Sequence, residues 1–321
     1  MAKKSALFIA LVLFTLVNCK KESRQEEISQ STVSPGMIFL VVEKVVSGMF
    51  FEQVFSEPFG LAQSSDGSIF VVDKGTNRVI KFNSEFEPQS QTGGYGLGTE
   101  TFNSPTYVTI DNALNIYVSD ENNRRVARLD FRLNYVDDVK FADEEDPFLF
   151  GYPSGIGVTS YGELWIGDRD KNRLCLFNNV GKFDRFVGDF GSREGQLSQP
   201  EKIAADPANR FYVCDAGHRR ILIYDEYGNF MRKIESGEFD YPMSLAVDKD
   251  FFWILDGGTS SVLLADKNGQ ILKHFGPILL GERNGLNGPS DIILLEDGRL
   301  LISDTANHRL LVCRIERGET N

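Results

Sequence analysis

A repeat of about 47 residues constrains the fold of this chain more than any other feature. Six prolines recur at spacings of 47, 48, 47, 42 and 47 residues, and an aspartate follows each of them 14 or 15 residues later. Five residues after the aspartate an arginine follows in five repeats, and Ser261 takes that place in the fifth. A period of this length predicts an array of similar supersecondary units. The prolines are Pro58, Pro105, Pro153, Pro200, Pro242 and Pro289, and the aspartates are Asp73, Asp120, Asp168, Asp215, Asp256 and Asp304.

Each repeat carries the signals of four short strands. A short apolar or alternating segment follows the proline, and a turn pair such as Asp66-Gly67 suits the positive φ of a tight hairpin. The second segment is apolar and aromatic and runs into the aspartate, a third follows the arginine, and residues 183–187, 230–234 and 271–275 supply fourth segments. Four strands in each of six repeats predict an all-β fold, a six-bladed β-propeller with four-stranded blades.

The two ends of the repeat array predict how the ring closes. The last repeat runs out of chain soon after its third strand, while an apolar stretch at residues 49–55 precedes the first proline. We expect this amino-terminal stretch to supply the outer strand of the sixth blade, because closure removes an exposed sheet edge. The propeller is predicted to span residues 37–316, with a short tail at 317–321, and residues 38–46 receive no assigned role.

The amino terminus has the pattern of an export signal. Lys3 and Lys4 precede an apolar run at residues 6–17 that is too short for a comfortable membrane span. The run ends in Leu-Val-Asn-Cys, which resembles a bacterial lipobox, although Asn18 stands where small residues are usual. The resemblance implies a signal peptide at residues 1–18, a lipid on Cys19 and a polar tether at 19–36. The alternative is an ordinary cleaved signal with an incidental cysteine.

The repeats resemble those of the NHL-repeat family over roughly residues 50–315. The resemblance rests on the segments 168–173 and 304–309, which combine the aspartate, an asparagine and the arginine, and on the Gly-rich connector at 188–200. It implies the propeller fold. It does not imply one function, because NHL propellers serve enzymes, RNA-binding proteins and protein scaffolds.

Charge and cysteine content exclude some partners. Asp and Glu number 46 against 34 Lys and Arg, which gives a formal net charge of -12. Nucleic-acid binding needs clustered positive charge, so we expect no nucleic-acid partner. Cys175, Cys214 and Cys313 lie in apolar strands and are predicted to be buried thiols. The membrane is expected to be contacted through the lipid alone, with the protein on the outer membrane or the periplasmic face of a bacterial envelope.

Positions that recur in every repeat are predicted to be structural, and positions that vary at the channel mouth are predicted to bind a ligand. The recurring aspartates and arginines are interpreted as fasteners of each blade. The residues that follow the prolines and the aspartates vary, and we expect them to form an exposed rim for a protein, a peptide or a small polar ligand. The candidate binding residues are Tyr107, Lys202, Asp291, Glu201, Met243, Lys74, Glu121 and Arg169.

Catalytic signals are sparse. The three histidines, His218, His274 and His308, do not occupy one repeat position, so no zinc site and no catalytic residue are predicted from them. We expect no cofactor and a non-catalytic binding role. The alternative is a metal-dependent lyase or lactone hydrolase built on the same propeller.

Overall fold

The computed structural model describes residues 38–139, 151–281 and 283–318. The predicted signal peptide, the predicted lipidation position Cys19 and the predicted tether lie outside the described residues. Six four-stranded antiparallel sheets and one two-stranded hairpin make up the described fold. The innermost strands of successive blades pack side by side, and the innermost strand of the sixth blade contacts that of the first. The six-bladed β-propeller is confirmed. No helix in these described ranges has the length and apolar character needed to cross a bilayer.

The strands follow one another in the order that the repeats predict. An amino-terminal strand and a hairpin precede the first three blades. These elements are β1 (Ile38–Val46), β2 (Met49–Phe50), β3 (Gln53–Val54), β4 (Pro58–Gln63), β5 (Ile69–Asp73), β6 (Arg78–Phe82), β7 (Pro88–Gly93), β8 (Pro105–Ile110), β9 (Ile116–Asp120), β10 (Arg125–Leu129), β11 (Tyr135–Val139), β12 (Pro153–Val158), β13 (Leu164–Asp168), β14 (Arg173–Phe177) and β15 (Phe183–Val187).

The remaining three blades have the same order, and the last strand is the longest of their strands. Short 3-10 turns follow the second strands of blades 1, 4 and 6 at Lys74–Thr76, Ala216–His218 and Thr305–Asn307. The strands are β16 (Pro200–Ala205), β17 (Phe211–Asp215), β18 (Arg220–Tyr224), β19 (Phe230–Glu235), β20 (Pro242–Val247), β21 (Phe251–Asp256), β22 (Ser261–Asp266), β23 (Ile271–Phe275), β24 (Asp291–Leu294), β25 (Leu300–Asp304) and β26 (Arg309–Arg317).

The core lies between neighbouring blades. The second strands, such as β13 and β17, are buried along their whole length, which explains their run of β-branched and aromatic residues. Trp165 of blade 3 stacks on Phe211 of blade 4 with ring centroids 3.9 Å apart. Cys175, Cys214 and Cys313 are buried free thiols, as predicted. Each blade is therefore held chiefly by the apolar faces of its neighbours.

The sixth blade is closed by an amino-terminal strand, but not by the one that the sequence suggested. β1 pairs antiparallel with β26, from Ile38 opposite Arg317 to Val46 opposite Leu310. The stretch at residues 49–55, which we expected to close the ring, forms instead the small β2–β3 hairpin. The reason is length, because both β1 and β26 have nine residues and pair along nearly their whole extent. β26 also runs one residue beyond the predicted boundary at 316.

The recurring aspartates and arginines fasten the connector that leads into each blade. Asp215 ends β17, and its carboxylate accepts hydrogen bonds from the amide of Ser198 at 2.6 Å and from the Arg220 Nε at 2.7 Å. Arg220 in turn donates to backbone carbonyls of the connector, including that of Gln196 at 2.8 Å. One buried carboxylate thus ties a connector to two strands, which agrees with the predicted structural role.

The fifth blade shows how the same fastener works where the arginine is absent. Asp256 accepts hydrogen bonds from the amides of Asp240 and Thr259 and from the Thr259 hydroxyl, and that hydroxyl lies 2.6 Å from the Ser261 hydroxyl. Two small hydroxyl side chains therefore take the place of the guanidinium. The carboxylate remains buried and fully partnered.

We predict that Arg220→Met lowers the free energy of unfolding by about 1 to 3 kcal/mol, because it leaves the Asp215 carboxylate buried without its cationic partner. The control is Arg219→Gln. Arg219 is the preceding residue, and its side chain is mostly exposed and pairs with the exposed Asp240. Denaturant unfolding of both variants is the measurement, and an equal effect of the two changes would contradict the fastener role.

Candidate functional site

A β-bulge after the proline positions the first candidate residues. We call upper the face where the innermost strands begin and the second strands end. In blade 1, Pro58 pairs with Asp73 while Leu61 pairs with Val71, so the register slips by one residue between them. The same slip follows the proline in blades 2 to 5. Bulges redirect side chains, and the residues at each slip lie at the upper end of the central channel.

The residues that follow the aspartates are held beside the same end of the channel. The amide of Lys74 donates to the carbonyl of Glu57 at 2.9 Å, and the amide of Arg169 donates to that of Tyr152 at 2.9 Å. Glu57 and Tyr152 are the residues directly before their prolines. The loop after each second strand is therefore tied to the start of the innermost strand. This contact places Lys74, Glu121 and Arg169 over the mouth.

Four side chains that depart from the repeat close the channel below the mouth. The Lys202 Nζ lies 2.8 Å from the Asp291 Oδ2, and its charge lies 5.7 Å from the centroid of the Tyr107 ring. Asp291 also accepts hydrogen bonds from the Ser244 hydroxyl at 2.6 Å and from the Leu61 amide at 2.8 Å. The side chains of blades 2, 4, 5 and 6 thus meet across the axis. We call Tyr107, Lys202, Ser244 and Asp291 the plug.

Glycine fills the same repeat position in the other two blades because the innermost strands approach closely there. A Cβ at Gly60 would lie 2.3 Å from the Thr106 carbonyl oxygen, and a Cβ at Gly155 would lie 2.3 Å from the Glu201 carbonyl oxygen. Neither position can hold a side chain without moving backbone. The plug therefore comes from the blades that have room for it.

A second polar cluster lies above the plug. Glu201 accepts hydrogen bonds from the Tyr107 hydroxyl at 3.2 Å, the Tyr241 hydroxyl at 2.9 Å and the Arg169 Nη1 at 3.2 Å. Arg169 also donates to Glu121, and the other oxygen of Glu121 lies 3.8 Å from the Lys74 Nζ. Burial, with the charge of Glu201, raises the pKa of both tyrosines, so they stay protonated as donors.

Met243 completes the set of eight candidates. Its carbonyl oxygen lies 3.5 Å from the Tyr107 hydroxyl, and its side chain occupies the space above Gly257, where a Cβ would lie 2.6 Å from the Met243 Cγ. The structure therefore brings together all eight residues that the sequence singled out. They form one connected network that draws on blades 1 to 6.

The burial of the network corrects one expectation. Tyr107 and Lys202 were expected to form an exposed rim that could be changed without loss of stability. Tyr107 is only 1% exposed and Lys202 only 7% exposed, because both reach across the channel into the plug. The exposed members of the network are instead Lys74 and Arg169, whose side chains are each 29% exposed.

Two further residues belong to this network: Tyr241 was missed, and Phe59, which follows Pro58, was among the varying residues but not among the eight candidates. Tyr241 lies directly before its proline, whereas only the residues after the prolines and aspartates were considered. Phe59 lies beneath Lys74, with the ammonium 5.1 Å from its ring centroid, and packs edge-on against Tyr107. The signal for Tyr241 was the shortened spacing of 42 residues, which brings the fourth strand of the blade close to the next proline.

The lower end of the channel has a different character. A cavity of about 230 Å³ lies there, lined mainly by apolar side chains such as Leu61, Val108, Ile156 and Ile203. Lys202 also lines this cavity. The plug thus separates a polar upper mouth from an apolar lower one.

The histidines do not form a metal site with one another. His218 Nδ1 lies 2.9 Å from Asp215, His274 Nε2 lies 2.7 Å from the Ser261 hydroxyl, and His308 Nδ1 lies 2.6 Å from the Ser56 carbonyl oxygen. Within the described parts of the chain, no group of three His, Cys, Asp or Glu side chains could hold a metal ion.

Comparison with known proteins agrees with the fold. A human protein, NHL repeat-containing protein 3, is 34% identical over 84 residues, which cover 25% of this chain and 24% of that protein. The streptogramin B lyase structure superposes with a TM-score of 0.62 and 11% identity, covering 88% of this chain and 99% of that one. The chain is a six-bladed β-propeller with NHL-repeat relatives. No family model matches it.

A longer alignment relates the chain to an enzyme. The mouse peptidyl-glycine alpha-amidating monooxygenase is 24% identical over 290 residues, which cover 84% of this chain and 28% of the enzyme. This chain spans less than a third of the length of the curated relatives it matches. The likeness therefore concerns the propeller and not the whole of those proteins.

We predict that Lys202→Met destabilises the propeller by about 3 kcal/mol, because it leaves Asp291 charged and buried without its cation. The double variant Lys202→Met with Asp291→Asn should recover part of this loss, because asparagine removes the unpaired charge but keeps only one acceptor oxygen. Lys249→Met, at an exposed site, is the matched control. The measurement is denaturant unfolding of the three variants. A double variant as unstable as Lys202→Met alone would contradict the pairing.

Proposed function

We propose that this protein is a propeller scaffold that binds a protein segment, a peptide or a small polar ligand at its upper channel mouth. The proposal rests on one observation: the residues that differ from repeat to repeat lie together at the upper end of the channel. Positions that vary from blade to blade supply one connected polar network, while the positions that recur serve the fold. A scaffold alone has no need of such a network.

The charges and the exposure of the mouth support the proposal. Lys74, Glu121, Arg169 and Glu201 lie on blades 1 to 4, and Phe59 gives the mouth an aromatic wall. The equivalent residues after the aspartates of blades 4 to 6 are small, namely Ala216, Gly257 and Thr305. One side of the mouth therefore carries charged and aromatic side chains, and small side chains follow the aspartates on the other side. Few polar groups beside open space are typical of ligand sites.

Photo-crosslinking at matched tyrosines tests the proposed face. Tyr241 lies at the upper mouth, and Tyr227 lies in the turn between β18 and β19 at the lower face. We expect Tyr241→p-benzoylphenylalanine, in cells, to form a discrete adduct that Tyr227→p-benzoylphenylalanine does not. Tyr241→Phe should melt close to the parent, which controls for the lost hydroxyl. Adducts of equal yield at the two positions would place the binding site elsewhere.

We propose that the protein is attached to a bacterial envelope membrane by a lipid on Cys19. The support is the short apolar run that ends at this cysteine and the polar segment that follows it. The described chain begins at Ile38, opposite Arg317 at the lower end of β26. The chain therefore enters the propeller at the face opposite the proposed binding mouth.

The anchor is tested with a labelled fatty acid fed to cells that express the full chain. We expect the parent protein to carry the label and to partition into detergent, and Cys19→Ser to lose both properties. Cys175→Ala removes a buried thiol of the propeller and should keep the label. Label retained by Cys19→Ser would show that the lipid lies elsewhere, and a parent protein without label would contradict the anchor.

A lyase on the same propeller is the second candidate. The alignment of 290 residues with an amidating monooxygenase favours it. The separate partners of the three histidines speak against it, since a catalytic zinc needs converging ligands. One tightly bound zinc per purified chain, lost with an activity in His218→Ala, would promote this candidate over the binding scaffold.

A further inference from the structure

We propose that the ligand of the upper mouth carries a carboxylate, which is held by Lys74 and Arg169. The inference rests on the proposed function and narrows it to one chemical class. The hydrogen-bond donors and acceptors of the mouth differ in how many are already used within the protein.

The two most buried carboxylates of the mouth, Asp291 and Glu201, have little capacity left, whereas Glu121 accepts one hydrogen bond, from Arg169. Asp291 accepts four hydrogen bonds, from Lys202, Ser244 and two backbone amides, which matches the four lone-pair positions of a carboxylate. Glu201 accepts three, and its side chain is only 1% exposed. A ligand that enters from solvent meets no free acceptor on either group.

The cations have capacity to spare. An ammonium has three donors and a guanidinium has five. Arg169 uses two of its donors on Glu121 and Glu201. Lys74 lies 3.8 Å from Glu121, which is longer than a hydrogen bond, and among the described residues its Nζ donates to no acceptor within 3.5 Å. The mouth therefore offers unused donors on two cations.

The two cations are also more exposed to solvent than Glu121 and Glu201. The side chains of Lys74 and Arg169 are each 29% exposed, against 11% for Glu121 and 1% for Glu201. Burial lowers the pKa of Lys74, the nearby charge of Arg169 lowers it further, and the charges of Glu57 and Glu201 raise it. An anion between the two cations would offset their mutual repulsion. The overall net charge of -12 does not oppose binding of an anion. At physiological ionic strength, salt largely screens exposed charges that lie more than about 8 Å away.

The surroundings favour an organic carboxylate over a bare anion. Phe59 lies beneath Lys74, with the ammonium 5.1 Å from its ring centroid, so apolar surface borders one of the two cations. Such surface can pack against the body of a ligand whose carboxylate pairs with the donors. Peptide carboxyl termini and small organic acids share this chemistry.

Equilibrium dialysis of the full-length Cys19→Ser chain against defined probes tests the inference. One arm uses a mixture of N-acetyl dipeptides with free carboxyl termini and the same mixture as carboxamides. The other arm uses succinate and benzoate beside their amides. We expect carboxylates to be retained about tenfold over their amides, and the arm that shows it identifies peptide or small acid as the source.

Three lysine variants locate the effect. Lys74→Met should lower carboxylate retention about tenfold, and Lys74→Arg should restore it, because a cation is regained. Lys81→Met is the matched control, since Lys81 also lies over an aromatic ring of the structure, Phe131, but away from the mouth. Melting curves confirm that each variant is folded.

The outcomes separate the two levels of the proposal. If amides bind as well as carboxylates, and a bulky Thr305→Trp change at the mouth abolishes both, the carboxylate inference fails while the binding mouth stands. If Thr305→Trp leaves retention unchanged, the mouth is not the site and both proposals fail. Retention of no probe in either arm likewise overturns the carboxylate inference.

Discussion

The buried aspartate at the end of each second strand is the contact on which the rest of the structure depends. Its carboxylate fixes an amide of the incoming connector, as Asp215 fixes Ser198, and so decides where the next proline and innermost strand begin. Removing such a carboxylate from water is costly, and burial raises the pKa of Asp73 and Asp120 despite their hydrogen bonds. The partners therefore have to be present in every blade, which is why these positions recur.

The fold could be predicted because the same pattern of strands and turns occurs six times in the sequence. A missing signal in one blade, such as the serine at 261 in place of arginine, is outweighed by the other five. Ring closure is a single pairing that does not recur in the repeats, and it joins residues far apart in the chain. Two apolar stretches, Ile38–Val46 and residues 49–55, compete for it, and local pattern cannot choose between them. The choice depends on matching the length of β26, which is a property of the folded pair.

The sequence predicted which residues lie together at the upper end of the channel, but not how deeply they are buried. Repeat positions told which residues share the upper end of the channel, since equivalent residues of a propeller lie at equivalent heights. Burial depends instead on which side chains cross the axis. Lys202 and Asp291 are 89 residues apart, and their pairing needs the close strand approach that Gly60 and Gly155 permit. No local pattern encodes that approach. Residues that the sequence placed on an exposed rim therefore lie in the buried plug.

A polar plug is an expensive way to close a channel, and its chemistry therefore indicates a purpose beyond stability. The lower end of the same channel is lined with Leu61, Val108 and Ile203, so apolar filling was available to this scaffold. A buried ion pair is often no more stabilising than such filling, but it fixes geometry. Here Lys202 and Asp291 hold the plug in which Tyr107 stands, Tyr107 donates to Glu201, and Glu201 positions Arg169 at the surface. In the proposed binding role, the plug is the rigid floor of the mouth and holds its outermost cations in a fixed arrangement.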